Sequence, residues 1–378
     1  MKIFSFILFT LIIQQADAQF KLVGQVQETT SRKNIPFANV FFANTTKGTQ
    51  SDENGNFAIV IEKAGVYDLV VSFIGYETLS FQVKVDTLKS KLVILLNPKI
   101  NELQAINIRR MKNGFEQYYE LFKDNFIGKT NFSKTCKLKN PRSIWFVEDQ
   151  DAAQVQVNAE DVLVVENKAL GYVIKYQLEE FTYNFKQNYV TLLGYPFFEE
   201  MKGSQRQIEK WQENRQKAYL GSSTHFLYSL TNRITRAEGF TFQKLIRQKR
   251  NDQNVVADSI AQKLAAPMFS KYVQYLVRTP YTDDQILQKK ENDIFLTFND
   301  YIYVTYYNEN EEPQLMERPV KQEYQISIAH LQEGTAVLGA NGYMPDPLAL
   351  VVEGRWGFEK LGELLPLDYV YVPKSKNK

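Results

Sequence analysis

Gly24-x-Val26, Pro36-x-Ala38-x-Val40, Thr49-x-Ser51-Asp52-x-x-Gly55-x-Phe57 and Leu69-x-Val71-x-Phe73-x-Gly75-Tyr76 make one spaced pattern across residues 24–76. Short apolar alternations punctuated by turn residues read as a complete small β-sandwich. Working outward, the stretch from Lys21 to Pro98 divides into about seven such segments. In Phe81-Gln82-Val83-Lys84-Val85-Asp86 the alternation puts Phe81, Val83 and Val85 on a core face and the polar residues toward water. Leu69 to Phe73 and Leu92 to Leu96 are apolar on both faces and read as central strands. Asp52-Glu53-Asn54-Gly55 reads as a hairpin turn in which Gly55 supplies positive φ. The pattern supplies no nucleophile, metal ligand or general base, so it predicts a fold and not a reaction.

These residues together resemble the carboxypeptidase-D regulatory-like domain, a transthyretin-like seven-stranded antiparallel sandwich. The likeness spans about 78 residues and is carried by the set of motifs, each short by itself. It implies a domain known at the N-terminus of TonB-dependent outer-membrane transporters and after the catalytic domain of some metallocarboxypeptidases, catalytic in neither. Leu103-Gln104-Ala105-Ile106-Asn107-Ile108 also resembles the short strand that follows the module in the transporters. Neither companion follows here. A transmembrane barrel needs many ten-residue alternating strands. His330-Leu331-Gln332-Glu333 has the spacing of a zinc pair, but the carboxypeptidase site needs a later His, and His225 and His330 are the two in the chain.

Residues 1–18 read as a signal peptide: Lys2 is the charged start, Ile3 to Ile13 the apolar run, and Ala16-Asp17-Ala18 a small-x-small cleavage site. The expectation is an exported protein, periplasmic or outer-membrane associated, with no transmembrane segment. Cys136 is the single cysteine, which excludes an internal disulfide and, without a nearby His or a CxxC partner, reads as an inert thiol. Removing Lys2 and Asp17 with the leader leaves 44 basic and 42 acidic residues, a balance that offers no basic field for nucleic acid. The 26 Phe and 22 Tyr favour half-buried pleated surfaces, so strands should dominate.

The predicted fold class is α+β: the sandwich at 19–98, a linker at 99–114, then a larger β-rich α+β domain at 115–378. Phe115, Tyr118, Phe122 and Phe126 stand at helical spacing, with Gly128 beyond the end. Strand-like runs follow at 143–147, 155–157, 162–165, 172–177 and 189–193. Ser204 and Gln207 form a capping box that opens a long helix over 204–235. Ile208, Trp211, Tyr219, Ser222, Phe226 and Leu230 fall on one stripe of it, and Arg215 and Arg233 lie within that stripe. Gly221 is a candidate bend or stop. Trp211 to Phe226, Leu170 to Leu178 and Leu364 to Tyr369 are similar to pieces of uncharacterised exported proteins that carry this sandwich, a likeness that implies shared architecture and no known reaction. Near the C-terminus, Asn299-Asp300 separates two strand-like runs as a hairpin pair, and Trp356 to Leu365 reads as a short helix stopped by Pro366.

Candidate binding residues follow from these placements. Arg215 facing a core needs a carboxylate or carbonyl partner, and is either an anion site or an internal ion pair. Tyr219 and His225 share the stripe. His225 beside Ser222 invites a Ser–His reading, but no third orienting group or oxyanion hole is marked, and a hydrogen-bonded structural His is the expectation. Tyr301 and Tyr303, with Thr305, form an aromatic strip suited to stacking on sugars or peptides, or to sheet packing. No catalytic residue, metal or cofactor is predicted. The expected function is a non-enzymatic envelope binding or docking protein, an accessory of an outer-membrane transport or secretion machine. The alternative is a peptide or glycan hydrolase in which Glu179 or Glu180, Asp346 and Glu353 would converge in one cleft.

Overall fold

Each piece of the N-terminal pattern has a physical cause in the fold. The computed structural model describes residues 20–62, 64–85, 91–99, 111–250, 256–257, 259–264, 271–290, 293–315, 324–339 and 341–372; the leader and most of the linker read from the sequence lie outside them. Seven strands build two sheets: β1 (Phe20–Glu28), β2 (Asn39–Phe42), β3 (Gly48–Gln50), β4 (Asn56–Ile61), β5 (Gly65–Ser72), β6 (Leu79–Val85) and β7 (Leu92–Leu96). One sheet runs β4-β1-β7 and the other β3-β2-β5-β6. Leu22, Val26, Val40, Phe42, Phe57, Ile59, Leu69 and Val71 fill the space between them.

Gly24 is required because a Cβ there would stand 2.4 Å from the Phe57 ring. The buried Ser51 hydroxyl donates to Ile35 O at 2.8 Å and accepts from the Ala38 amide at 2.9 Å, pinning the Pro36 loop. Asp52 Oδ1 accepts the amides of Asn54 and Asn56, both at 2.8 Å, around a Gly55 with φ +74°. This turn is not a hairpin: β3 and β4 lie in opposite sheets, so it carries the chain across the core. Tyr76 reaches back through its hydroxyl to Glu28 at 2.8 Å. Two further expectations change. The strand Leu92–Leu96 is an edge, with Val93 58% exposed, and it pairs with β1 in parallel while the other sandwich pairings are antiparallel.

The larger part has two cores. Helix α1 (Gly114–Phe126) buries Tyr118, Phe122 and Phe126 against a six-stranded sheet. That sheet comprises β8 (Cys136–Leu138), β9 (Ile144–Asp149), β10 (Gln154–Ala159), β11 (Leu163–Asn167), β12 (Tyr172–Asn184) and β13 (Tyr189–Glu200). Phe126 meets Tyr176 edge-on at 5.0 Å and Phe122 meets Phe181 at 5.0 Å, so three of the four aromatics read in the sequence form the packing face, while Phe115 stays exposed and stacks on Tyr119.

The predicted single helix over 204–235 is two: α2 (Gln205–Tyr219) and α3 (Ser223–Thr231). Leu220 is extended, Gly221 takes φ +77°, and Ser222 caps α3 by accepting the His225 amide. The break is tertiary in origin. Gly221 lies against Gln325 and Tyr306, and its carbonyl accepts the Trp356 indole N–H at 2.9 Å.

The second core lies between α3 and a sheet ordered β15-β16-β14-β19-β20-β22, built from β14 (Phe240–Lys249), β15 (Ala261–Lys263), β16 (Tyr272–Pro280), β19 (Tyr301–Tyr306), β20 (Gln325–Leu331) and β22 (Leu350–Gly354). A three-stranded sheet joins it from β17 (Leu287–Lys290), β18 (Asp293–Thr297) and β21 (Thr335–Leu338). Asn299-Asp300 therefore turns the chain between two sheets and not within a hairpin, although Asp300 does adopt φ +62°. Trp356 to Leu365 is no α-helix: a single 3-10 turn, Arg355–Phe358, gives way to a strap of irregular backbone.

Candidate functional site

The strap after Phe358 ties the three cores together. Leu361 and Gly362 donate to the carbonyls of Phe126 and Ile127 at the end of α1, at 3.1 and 2.9 Å. Leu367 donates to Asn44 O at 2.7 Å, and Asp368 accepts both the amide and the hydroxyl of Thr46 in the sandwich. The sandwich is also fastened by Asn44 N–H to Pro196 O at 2.7 Å, Phe198 N–H to Thr45 O at 3.0 Å, and a hydrogen bond from the Tyr343 hydroxyl to Asp68.

These contacts border a partly open cavity of about 700 Å³. Its walls come from Ala64 of the sandwich, from Tyr219, Ser222, Ser223 and Tyr228 on α2, α3 and their junction, from Glu238, and from Asn341, Trp356, Glu359, Glu363, Leu364–Leu367 and Tyr369–Tyr371. Tyr219, Tyr369 and Tyr371 cluster on one side, with Tyr219 stacked on Tyr371 at 5.2 Å between ring centroids.

The opposite wall is acidic. Glu359 accepts the Ser223 amide at 3.1 Å and the Ser223 hydroxyl at 2.7 Å. Burial nevertheless pushes its carboxyl up to about 7, against the pull of Ser223 and Arg355. Arg355 and Glu363 are both buried and bond through Nη2 and Oε2 at 2.8 Å. Burial raises Glu363 as well. Arg355 Nη1 and Glu363 Oε1 have no hydrogen-bond partner. The Thr130 hydroxyl favours the ionised form of Glu363, but it pairs with Ser133 and closes no bond on Oε1. Behind this wall burial also pushes Glu309 up to about 7, opposed by Arg355 and by the Gln325 amide.

Of the residues singled out in the sequence, two meet at the cavity. Tyr219 lines it, and His225 packs beneath Tyr219 at 4.7 Å. His225 Nδ1 accepts the Gly221 N–H at 3.2 Å, so the neutral ring carries its proton on Nε2 and donates to Glu238 Oε2 at 3.3 Å. Burial lowers the His225 pKa more than Glu238 raises it. Ser222 Oγ serves as a helix cap and does not meet the ring nitrogens.

The other candidates stand elsewhere. Arg215 donates to the carbonyls of Leu170 and Gly171 and to Glu200, with its guanidinium 3.9 Å from the centre of the Tyr172 ring. Tyr301 lies under Arg247, which forms a bidentate pair with Glu353 at 2.6 and 2.7 Å; Tyr303 is half-buried on the same strand. Glu179 and Glu180 stand side by side on β12, where Glu180 contacts Thr182, while Asp346 bonds within its own loop and Glu353 is taken by Arg247. Cys136 donates to Phe132 O, and burial pushes its thiol up to about 12.

The residues missed by sequence reasoning are Glu238, Asn341, Arg355, Tyr369 and Tyr371. One signal was present: Arg355, Glu359 and Glu363 recur every four residues. Among the described residues, no group of three or more His, Cys, Asp or Glu side chains is placed to hold a metal, and no helix is long and apolar enough to cross a membrane.

Residues 22–108 match the CarboxypepD_reg-like domain family, which agrees with the resemblance read from the motifs. No curated protein matches the chain. Among solved structures, it is similar to a Bacteroides fragilis protein of unknown function at 11% identity, covering 88% of this chain and 96% of that one with a TM-score of 0.18. It is also similar to the Bacillus cereus major pilin subunit BcpA, at 8% identity over 92% and 86% of the two chains with a TM-score of 0.17. At such scores neither likeness bears on function.

Proposed function

We propose that the protein is an exported, non-enzymatic binding protein of the bacterial envelope, an accessory of an outer-membrane transport or assembly complex. The CarboxypepD_reg-like sandwich is its docking module, and the junction with the larger part holds the ligand or partner segment. The observation that carries this reading is the cavity itself: about 700 Å³, within the range of ligand sites, and walled jointly by the sandwich, the two helices and the strap. His225, Ser222 and Cys136 are committed to internal partners, which favours binding over bond-making.

One observation favours a second reading. Glu359 titrates at about 7, in the range of a general acid, and faces the cavity. Affinity capture from detergent-solubilised envelopes with the full chain as bait separates the two. Recovery of a defined membrane partner supports the docking reading. Return of the bait alone, together with cleavage of a peptidoglycan or peptide library by the purified protein, overturns it.

A further inference from the structure

We infer that residues 369–372 are a tethered occupant of the junction cavity, and that they compete there with an extended partner segment carrying aromatic side chains at alternate positions. The inference deepens the binding reading above and rests on it. Its first support is how the segment is held. The strap is fixed as far as Asp368, through Leu367 to Asn44 and Asp368 to Thr46. Beyond that point the ties stop: the Tyr369 amide donates to Pro366 O at 2.9 Å, and among the described residues 370–372 make no backbone hydrogen bond. Val370 and Val372 are 59% and 71% exposed.

The second support is what the segment is made of. Tyr369-Val370-Tyr371-Val372 alternates with a period of two and consists of aromatic and β-branched residues, the composition of a strand, yet its backbone is irregular and no sheet receives it. Its backbone donors and acceptors present the open edge that a neighbouring strand ordinarily closes.

The third support is where the rings sit. Tyr371 stacks on Tyr219 at 5.2 Å with 22° between the planes, Tyr369 meets Tyr219 at 5.8 Å, and Tyr371 stands 6.5 Å from His225. Tyr219 rests in turn on His225, whose ring is fixed by the Gly221 amide and by Glu238. One half of the aromatic contact is therefore built into the α2–α3 junction, and the other half rides on chain without backbone ties. The resident shows what the seat accepts: tyrosine rings two residues apart on an extended peptide, which gain ring packing against Tyr219. A partner segment of that pattern finds the same faces, and an open edge beside it for strand addition.

Fluorescence anisotropy on the full chain tests this with fluorescein-labelled acetyl-Asp-Tyr-Val-Tyr-Val-amide. Labelled acetyl-Asp-Ser-Val-Ser-Val-amide, which keeps the alternation without the rings, is the control. A tethered competitor at an effective concentration of about 1 mM, with a dissociation constant of about 0.1 mM for its own seat, weakens a free ligand about tenfold. Replacing both rings, Tyr369→Ala with Tyr371→Ala, removes that competition and should tighten probe binding about tenfold. Tyr369→Phe with Tyr371→Phe keeps the rings and should bind the probe as the wild type does. A second measurement leaves the resident tyrosines in place: a nitroxide on Val372→Cys, in a Cys136→Ala background, should gain mobility when the probe is added, because the segment leaves its seat.

Equal affinity for the wild type and the Ala pair, absence of probe binding to both, equal binding of the ringless control, or probe binding with no gain in nitroxide mobility overturns the inference. Wild-type dimers that dissociate on dilution and are lost in the Ala pair, seen by sedimentation, would assign the seat to the same residues of a second copy and overturn the partner assignment. An envelope partner captured equally by the wild type and the Ala pair, while no probe binds, would sink the peptide assignment and leave the docking reading standing. Probe binding that tightens as expected, with no captured partner, does the reverse.

Discussion

Replacing Glu359 by Gln should make the protein more stable at pH 8 and leave it nearly unchanged at pH 5. The folded carboxyl titrates at about 7 against an ordinary value of 4.5, chiefly through burial. The folded state therefore holds its proton more tightly than the unfolded chain, and stability falls as pH rises from 4.5 through 7. A difference of this size corresponds to about 3 kcal/mol at 1.36 kcal/mol per pH unit, fully expressed above pH 7 and absent below 4.5. Gln imitates the protonated acid and keeps an acceptor for the Ser223 amide and hydroxyl, so the variant escapes that cost. For a body of this size 1 kcal/mol moves the melting temperature by roughly 2–4 °C, which predicts a gain of about 6 °C or more at pH 8. Thermal unfolding of both proteins at pH 5 and pH 8 measures it. Other titrating groups, including Glu309 and His225, are common to both and cancel in the difference. An equal shift at the two pH values, or a loss of stability at pH 8, would refute the claim that Glu359 is a desolvated carboxylate.

Three further outcomes are expected. Gly221→Ala should cost about 2 kcal/mol or more in urea unfolding, since the residue sits at φ +77° and a Cβ would stand 2.2 Å from Gln325 Oε1; a change under about 0.5 kcal/mol would show that the helix break has another cause. Asp368→Ala removes the acceptor of the Thr46 amide and hydroxyl and should loosen sandwich docking by about 1–3 kcal/mol. Hydrogen exchange would read this as faster exchange at Asn44 and Phe198 with Leu69 and Val71 unchanged, whereas uniform acceleration would mean loss of the sandwich itself. Cys136, half-buried and with its thiol pushed up to about 12, should react with iodoacetamide at pH 8 more slowly in the native protein than in urea; equal rates would contradict desolvation of the thiol.

What the sequence disclosed was what short-range physics controls. Gly24 under Phe57, Ser51 bonding the Pro36 loop and Asp52 with Gly55 are local constraints, so they left a readable motif and fixed the sandwich. The spacing of Tyr118, Phe122 and Phe126 marked α1 for the same reason. Turn chemistry at Asp52–Gly55 and Asn299-Asp300 announced reversals correctly but carries no record of which sheet receives the next strand. Gly221 was legible as a candidate bend or stop, but the full break there depends on Gln325, Tyr306 and Trp356, each at least 85 residues distant, which the amphipathic stripe does not record. Of the candidate binding residues, Tyr219 and His225 lie at the junction because α2 and α3 end there, while Arg215, Tyr301 and Tyr303 are held in packing and ion-pair networks of the two sheets. The cavity draws its walls from residue 64, from 218–238 and from 341–371, so no single window contained it.

The same strap that walls the cavity fastens the sandwich: Leu364 to Tyr371 line the space, while Leu367 and Asp368 bond Asn44 and Thr46. Burial is what removes water from Glu359 and Glu363, and removal of water is what makes their charge expensive. Glutamine at either position would keep most of the shape without the charge.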